Sequence, residues 1–211
     1  MPEGFSVCRV VGGQRNAPGF YIENDERAGK MDNIFTAGMD SKKSFTWGDI
    51  GDIKAGRGDL GEEMPVVLYR LMQFTMVDAI ASELGTKKAN EFLYKAGYLA
   101  GVEFAKNVLD TTLEFNLFIA HLQEMLKELK IGILRMEYFN SDTGEMTLTV
   151  AEDLDCSGLP ITGEAVCVYD EGFIAGILRV YTGRDYVVKE IDCWATGDRV
   201  CRFKAAIAQS E

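Results

Sequence analysis

The period of the apolar residues changes from helical to strand-like near residue 131, and this change limits the folds open to the chain. Between residues 65 and 129, apolar side chains recur at helical spacing and predict three successive helices. Beyond this point, residues 131–138 and 145–150 alternate as strands do, and residues 141–144 have the composition of a hairpin turn. Because a hairpin pairs its strands antiparallel, no parallel crossover is needed here.

A fourth helix and a second hairpin are predicted in the C-terminal part of the chain. Residues 165–181 again have helical spacing, and Gly183 ends them. Residues 186–193 and 199–206 are predicted as strands. The order of three helices, a hairpin, a helix and a hairpin predicts an α+β fold, with helices packed on a small antiparallel sheet.

Two domain-level segments are expected. Residues 1–58 are interrupted by Gly, Asn and Asp, which predicts an N-terminal extension of irregular strands and loops, with short β-like pieces at 19–22 and 44–47. Residues 59–211 are predicted to form one domain. Within its second helix, Gly97 and Gly101 indicate either close approach of another backbone or room for a ligand.

The charge balance and the hydropathy exclude two classes of partner. The net charge is −11, from 33 acidic and 22 basic residues, so the average field repels a phosphate backbone and nucleic-acid binding is not expected. No apolar run approaches the roughly 20 residues of a membrane-spanning helix. The N-terminal residues do not resemble a signal peptide, so a cytoplasmic location is expected.

Five cysteines are present, and their placement matters more than their number. Cys8 and Cys156 stand alone in the sequence, whereas Cys167, Cys193 and Cys201 gather near the C-terminus. Without an export signal, metal or redox chemistry is a better expectation than disulfides. Cys193 and Cys201 flank the last turn and would face each other within about 5.5 Å. That spacing suits two thiolates on one zinc, and it nearly suits a disulfide.

Two further residues are candidates for the same site. Cys167 lies at the start of the fourth helix, where the helix dipole favours a thiolate. Glu190 lies three residues before Cys193, so the two side chains point to opposite faces of an ideal strand, and a bulge is required for both to bind one ion. The alternative is that these cysteines are ordinary buried small side chains.

Four short stretches give residues 59–206 a resemblance to a known family, the 4-vinyl-reductase-type domain of predicted hydrocarbon- or small-molecule-binding proteins. They are Leu60-Gly61 ahead of Leu68-Tyr69-Arg70; Ala96-Gly97-Tyr98-Leu99-Ala100-Gly101; Tyr169-Asp170-Glu171-Gly172-Phe173-Ile174-Ala175-Gly176; and Lys189-Glu190-Ile191-Asp192-Cys193 leading to Gly197-Asp198 and Cys201-Arg202-Phe203. The last stretch is the most specific.

The resemblance implies a metal, a fold and partners. One branch of the family, the sensor domains of aromatic-responsive transcriptional activators, binds zinc through a Cys…Glu-x-x-Cys…Cys pattern that matches Cys167, Glu190, Cys193 and Cys201 here. Three thiolates and one carboxylate close a tetrahedral shell, as in structural zinc sites. The family fold is related to haem-based nitric-oxide sensors and to vesicle-tethering subunits. Relatives commonly dimerise, so a homodimer is expected.

The ligand site departs from the phenol sensors of that branch. Those sensors hold the phenol hydroxyl with a His and a Trp, whereas this chain has Gln123 and a residue near Ala151 or Glu152 at the nearest positions, so a ligand other than phenol is expected. The candidate pocket residues are Phe104, Phe118, His121, Tyr138 and Trp194, with His121 orienting a polar group of the ligand. The alternative is that His121 is a satisfied core or boundary residue and that the aromatic rings are simply core.

No catalytic set is visible in the sequence, since it has no GxSxG or HExxH motif and a single histidine. The leading expectation is therefore non-enzymatic binding or sensing of a small apolar or aromatic molecule, in a pocket braced by structural zinc. A sensor without an attached output domain would need a signalling partner protein. The alternatives are an enzyme or accessory protein of tetrapyrrole or aromatic metabolism, and a dimeric scaffold without a ligand.

Overall fold

The helices and strands follow one another in the order that the apolar periodicity predicts. The computed structural model describes residues 44–209, so Cys8 and the first 43 residues of the predicted extension lie outside the described residues. Within that range the helices are α1 (Ile53–Gly56), α2 (Val66–Leu84), α3 (Thr86–Asn107), α4 (Phe115–Glu128) and α5 (Val168–Thr182). The strands are β1 (Ile133–Phe139), β2 (Met146–Ala151), β3 (Tyr186–Asp192) and β4 (Cys201–Ile207).

The short segment before α2 is helical, and the predicted β-like piece at residues 44–47 does not form a strand. Trp47–Ile50 make one 3-10 turn, in which the Asp49 carboxylate accepts hydrogen bonds from the Thr46 backbone and hydroxyl. Asp52 then caps α1 by accepting from the amide of Ala55. Side-chain capping by Thr46 and the two aspartates therefore overrides the weak strand signal.

The four strands form one antiparallel sheet in the order β1-β2-β4-β3. Burial alternates along β3 and β4, as expected of strands with one face against the core. The register aligns buried residues in rows across the sheet, as with Leu134, Val150 and Cys201. The predicted α+β class and both predicted hairpins are confirmed.

Helices α3 and α5 cross at the distance that only glycine permits. A Cβ atom on Gly97 or Gly101 would collide with the backbone of Tyr169 or Phe173 in α5. Equally, a Cβ atom on Gly172 would collide with the Tyr94 carbonyl in α3. The two helices therefore pack backbone against backbone, which settles the alternatives left open for the paired glycines of α3 in favour of close approach.

Helix α2 has the predicted bounds but a different environment. Pro65 precedes its first residue and Gly85 ends it with φ of 84°. None of its residues is buried, and Leu68 and Leu71 expose 49% and 61% of their surface. Large apolar side chains lie all round α2, so it presents an apolar surface rather than one buried stripe.

Candidate functional site

Four cysteines from four different segments of the chain lie close together. Cys156 lies in the loop after β2, Cys167 directly precedes α5, Cys193 directly follows β3, and Cys201 begins β4. Their relative exposures are 0–1%, and their sulfur atoms all lie within 4.8 Å of one another. This is a buried tetrathiol cluster that could hold a metal ion.

The separations of the sulfur atoms suit a metal better than disulfides. The Sγ atom of Cys167 lies 3.9 Å from that of Cys193 and 3.7 Å from that of Cys201, and Cys156 lies 3.0 Å from Cys201. A disulfide needs about 2.05 Å. Zinc–sulfur bonds of about 2.3 Å in a tetrahedron place sulfur atoms about 3.8 Å apart. Two of these three distances fit a bound zinc directly, and the third requires a small outward movement of Cys156.

Cys156 is not isolated, contrary to what its position in the sequence suggests. The chain turns back after β2, because Glu152 adopts a φ of 52° and the Asp153 carboxylate accepts hydrogen bonds from the amides of Asp155 and Cys156. Since β2 pairs with β4, with Val150 opposite Cys201, this turn carries Cys156 onto Cys201. The composition Glu-Asp-Leu-Asp-Cys-Ser-Gly after a strand is the turn signal that could have located it.

Glu190 lies beside the cysteine cluster. Its Oε2 accepts a hydrogen bond of 3.1 Å from the amide of Cys167, and its Oε1 is buried without a hydrogen-bond partner among residues 44–209. Burial raises the pKa of Glu190 to about 8. The bulge that the sequence requires between Glu190 and Cys193 is present as a register shift between Glu190 and Asp192.

The thiols perturb one another because they are buried together. Hydrogen bonds from Cys156, Cys167 and Cys201 lower the pKa of Cys193. Hydrogen bonds with Cys156, Cys193 and Cys201 raise the pKa of Cys167. A second thiolate in so small a space requires a cation, since like charges in a buried site repel strongly. The donor set of four soft sulfur ligands therefore favours zinc or another thiophilic metal.

The loop that carries Cys156 also holds α2 in place. The Tyr69 hydroxyl and the Gln73 amide donate to the two carboxylate oxygens of Asp155, at 2.8 Å and 2.9 Å. Arg70 donates to the carbonyl oxygens of Leu154 at 2.7 Å and Asp153 at 3.3 Å. One face of α2 is thus bonded to the residues that immediately precede a cysteine of the cluster.

An apolar cavity of about 40 Å³ lies between the helices and the sheet, where the sequence predicts a ligand pocket. Helices α4 and α5 form one side and strands β1 and β2 the other. Its apolar lining is Ile119, Leu122, Leu126, Ile131, Leu134, Met146, Leu148, Val150, Phe173, Ile174, Ile177 and Leu178. Its remaining lining residues are Asp153 and Asp170, which form an acidic end close to the cysteine cluster.

Two adjacent carboxylates of α5 differ sharply in their partners. Glu171 accepts from Lys189 Nζ at 2.8 Å and from the Glu190 amide at 2.9 Å, so both of its oxygens are paired. The Oδ2 atom of Asp170 is buried and has no hydrogen-bond partner within residues 44–209. Burial raises the pKa of Asp170 well above its usual range, and the neighbouring Asp153 raises it further.

None of the five residues predicted for the ligand pocket lines the apolar cavity. Phe118 stacks on Tyr181 in the core with ring centroids 3.8 Å apart, and Phe104 packs against Phe173. His121 is half-buried on α4 and Tyr138 is half exposed on β1. Trp194 donates to the Leu159 carbonyl and carries Arg199 over its ring.

The sequence relationships agree with the resemblance noted above. Residues 146–207 match the model of the 4-vinyl-reductase domain, which confirms the predicted likeness to that family over the part that contains β2, α5, β3 and β4. An uncharacterized protein of Methanocaldococcus jannaschii, MJ1642, is 28% identical over 154 residues, which is 72% of this chain and 84% of that protein. No function comes with that relative.

Solved structures share the fold at low sequence identity. A vinyl-4-reductase family protein from Methanocaldococcus jannaschii superimposes with a TM-score of 0.52 at 16% identity, covering 82% of this chain and all of that one. The phenol-responsive sensory domain of the transcription activator PoxR, solved with phenol, gives 0.52 at 12% identity over 70% of this chain and 76% of that one.

A subunit of a trafficking protein complex shares the fold as well. Subunit 3 of a trafficking protein particle complex from Naegleria fowleri, covalently bound to palmitic acid, gives a TM-score of 0.54 at 15% identity. It covers 68% of this chain and 95% of that one. An H-NOX protein from S. oneidensis is a more distant neighbour, with a TM-score of 0.44. Within residues 44–209, no helix is both long and apolar enough to cross a membrane.

Proposed function

We propose that this chain is a non-enzymatic sensor or binding protein for a small apolar molecule, which it holds in the cavity between α4, α5 and the sheet. The observation that carries the proposal is the cavity itself, which is apolar along its length and polar at one end, as small-molecule sites usually are. The PoxR domain, which shares the fold, is solved with phenol. In this proposal the cysteine cluster holds a structural zinc that fixes the acidic end of the cavity.

The cavity has room for a small ligand without movement of the side chains that line it. Its volume of about 40 Å³ exceeds the 10–15 Å³ or so that one water needs, so it accepts a molecule of a few heavy atoms without rearrangement. Native mass spectrometry of the purified protein tests for a retained ligand. The variant Ile177→Phe fills the cavity from α5 and should release any ligand. A ligand retained equally by Ile177→Phe would show that the cavity is not the site.

The zinc shell that the geometry favours is Cys156, Cys167, Cys193 and Cys201. Bound zinc would supply no open position for chemistry in such a closed shell, and its role would be to tie the Cys156 loop, the start of α5 and the last hairpin together. The rival shell replaces Cys156 with Glu190, whose unpartnered Oε1 supports it. In the favoured shell, Glu190 orients Cys167 through its backbone amide.

Metal analysis of two variants separates these shells. We expect one zinc per chain in the wild-type protein, near-complete loss in Cys156→Ala, and retention in Glu190→Gln. The absorption spectrum of the cobalt-substituted protein provides a second readout, because four sulfur ligands and three sulfur ligands give different charge-transfer bands. Retention in Cys156→Ala with loss in Glu190→Gln would establish the rival shell. A metal-free wild-type protein would exclude both.

We also propose that the chain forms a homodimer through α2. The support is the apolar surface of that helix, on which Val67, Leu71, Met72 and Met76 each expose at least half of their area. Sedimentation analysis should give a dimer for the wild-type protein and a monomer for Met72→Glu. Val187→Glu, at a half-exposed valine of β3, is the matched control and should stay dimeric. A monomeric wild-type protein would leave α2 for a different partner protein.

A further inference from the structure

The acidic end of the apolar cavity is the feature that the proposed function leaves unexplained. Asp153 and Asp170 are the ionisable residues in the lining. Their carboxylate oxygens and the sulfur of Cys167 lie within 4.8 Å of one another. Within residues 44–209, the Oδ2 of Asp170 is buried without a partner, although the next residue, Glu171, is fully paired. Burying an unpaired carboxylate is unfavourable, which indicates that a group with hydrogen-bond donors or a positive charge binds beside it.

We propose that the cavity selects an apolar molecule bearing one amino group, whose ammonium lies between Asp153 and Asp170 while its hydrocarbon part lies among the apolar side chains. This inference rests on the proposed role of the cavity as the ligand site. It defines the ligand by its chemistry as a small aliphatic or aromatic amine.

The geometry of the two carboxylates suits an ammonium group. An ammonium has three donors and no acceptor, and it lies about 2.8 Å from a carboxylate oxygen. Two such contacts at a tetrahedral nitrogen reach oxygen atoms about 4.6 Å apart. The Asp153 and Asp170 oxygens lie no more than 4.8 Å apart, a separation that one nitrogen at this contact distance can span. One amino group can therefore donate to both residues, whereas the hydroxyl of an alcohol has one donor and can donate to only one of them.

The charges around the cavity point to the same class of ligand. Neither carboxylate has an ion-pair partner within residues 44–209, since Arg70 donates to backbone carbonyls and Lys189 pairs with Glu171. A carboxylate ligand would place one more negative charge in this low-dielectric region, whereas an ammonium would reduce the repulsion.

Three probes with the same carbon chain test the inference: n-butylamine, n-butanol and butyrate. Each is titrated at one pH into the full-length, metal-loaded protein, and methyl NMR shifts of the cavity residues report binding. We expect the dissociation constant of the amine to be lower than that of the alcohol by about tenfold or more, as for a hydrogen bond to a charged group. Butyrate should not bind in the same concentration range.

Three variants assign the selectivity. Asp170→Asn should remove the advantage of the amine over the alcohol and leave the affinity for the alcohol unchanged. Glu171→Gln, at the adjacent paired carboxylate, should preserve that advantage. Ile177→Phe should abolish binding of all probes. If Asp170→Asn does not fold, the ratio of the butylamine and butanol affinities of the wild-type protein tests the inference. Asp153→Asn then serves as the second variant and should reduce the advantage of the amine.

The outcomes separate the two proposals. If no probe binds, the ligand-binding role of the cavity fails and the inference fails with it. If the probes bind in the cavity but butyrate or butanol binds as tightly as butylamine, the amine inference is wrong and the ligand-binding role stands. If metal analysis finds a second metal ion per chain that Asp170→Asn removes, the missing cation is a metal and the inference is overturned.

Discussion

Helices α2 and α5 are both rich in apolar residues, yet they are held in the molecule in different ways. Residues of α5 such as Ala175, Ile177 and Leu178 are almost fully buried, and its glycines allow α3 to approach its backbone. No residue of α2 is buried, and the bonds that attach it to the rest of the chain come from its polar residues Tyr69, Arg70 and Gln73.

The difference shows that apolar composition alone does not determine burial. Small residues at four-residue spacing let α5 come close to another helix, and close approach removes its larger side chains from water. In α2 large side chains occupy the whole circumference, so one chain cannot cover them all. We therefore expect α5 to contribute most to the free energy of unfolding, and α2 to respond to partners.

Metal removal should have the largest effect, since the cysteine cluster fixes the start of α5. If the cysteine cluster holds the proposed zinc, chelation should unfold the C-terminal part of the chain or lower its melting temperature by tens of degrees, because structural zinc contributes about 10 kcal/mol or more in small zinc domains. Thermal unfolding followed by circular dichroism, with and without chelator, provides the measurement. Adding zinc back should restore the transition, and an unchanged melting temperature after complete metal loss would contradict the structural role.

A substitution at the α3–α5 crossing should have the next largest effect on stability. Gly172→Ala should destabilise the protein by about 1–3 kcal/mol, because the added methyl group collides with the Tyr94 carbonyl and the helices must separate. Denaturant unfolding gives the change in the free energy of unfolding. Gly56→Ala is the matched control, since nothing lies within 4 Å of a Cβ at that helical position. Equal effects of the two substitutions would show that the crossing is not close in solution.

The α5 side of the comparison was largely predictable from the sequence. Apolar spacing predicted the helices, the alternation after residue 131 predicted both hairpins, and the spacing of Gly97 and Gly101 predicted a close crossing as one of two alternatives. The required bulge near Glu190 was also found. These features depend on residues near one another in the sequence, where periodicity and turn chemistry act directly.

Contacts between residues far apart in the sequence could not be predicted from apolar spacing. Cys156 enters the cluster only because the turn at Glu152 and the register of β2 on β4 act together, and neither is encoded by cysteine spacing. The acidic end of the cavity likewise forms only because Asp153, in the loop after β2, lies close to Asp170 in α5. Aromatic residues such as Phe118 and Tyr138 were candidates for the pocket by type alone, and type does not say which face of the sheet or helix a ring occupies.

The bonds between α2 and the Asp155 loop should have a moderate effect. Tyr69→Phe removes the donor to Asp155 and leaves a buried carboxylate oxygen unpaired, which should destabilise the protein by about 1–3 kcal/mol. Hydrogen exchange should localise the loss to α2, whose amides are expected to exchange faster while those of α5 do not change. Tyr138→Phe, at a half-exposed ring on β1, is the control. Faster exchange throughout the chain would mean that α2 does not move independently.

The smallest effect is expected from truncating an apolar residue of α2, and a paired substitution makes the comparison quantitative. Leu71→Ala should change the free energy of unfolding of the monomer by about 0.5 kcal/mol or less, because Leu71 is 61% exposed. Leu178→Ala in α5, where the side chain is 3% exposed, should cost about 2–5 kcal/mol. Denaturant unfolding at several protein concentrations measures both. If a second copy covers α2, the cost of Leu71→Ala should rise with concentration while that of Leu178→Ala stays constant, because only association couples α2 to concentration. A large cost at the lowest concentration would instead place Leu71 inside the monomer and remove the contrast between the two helices.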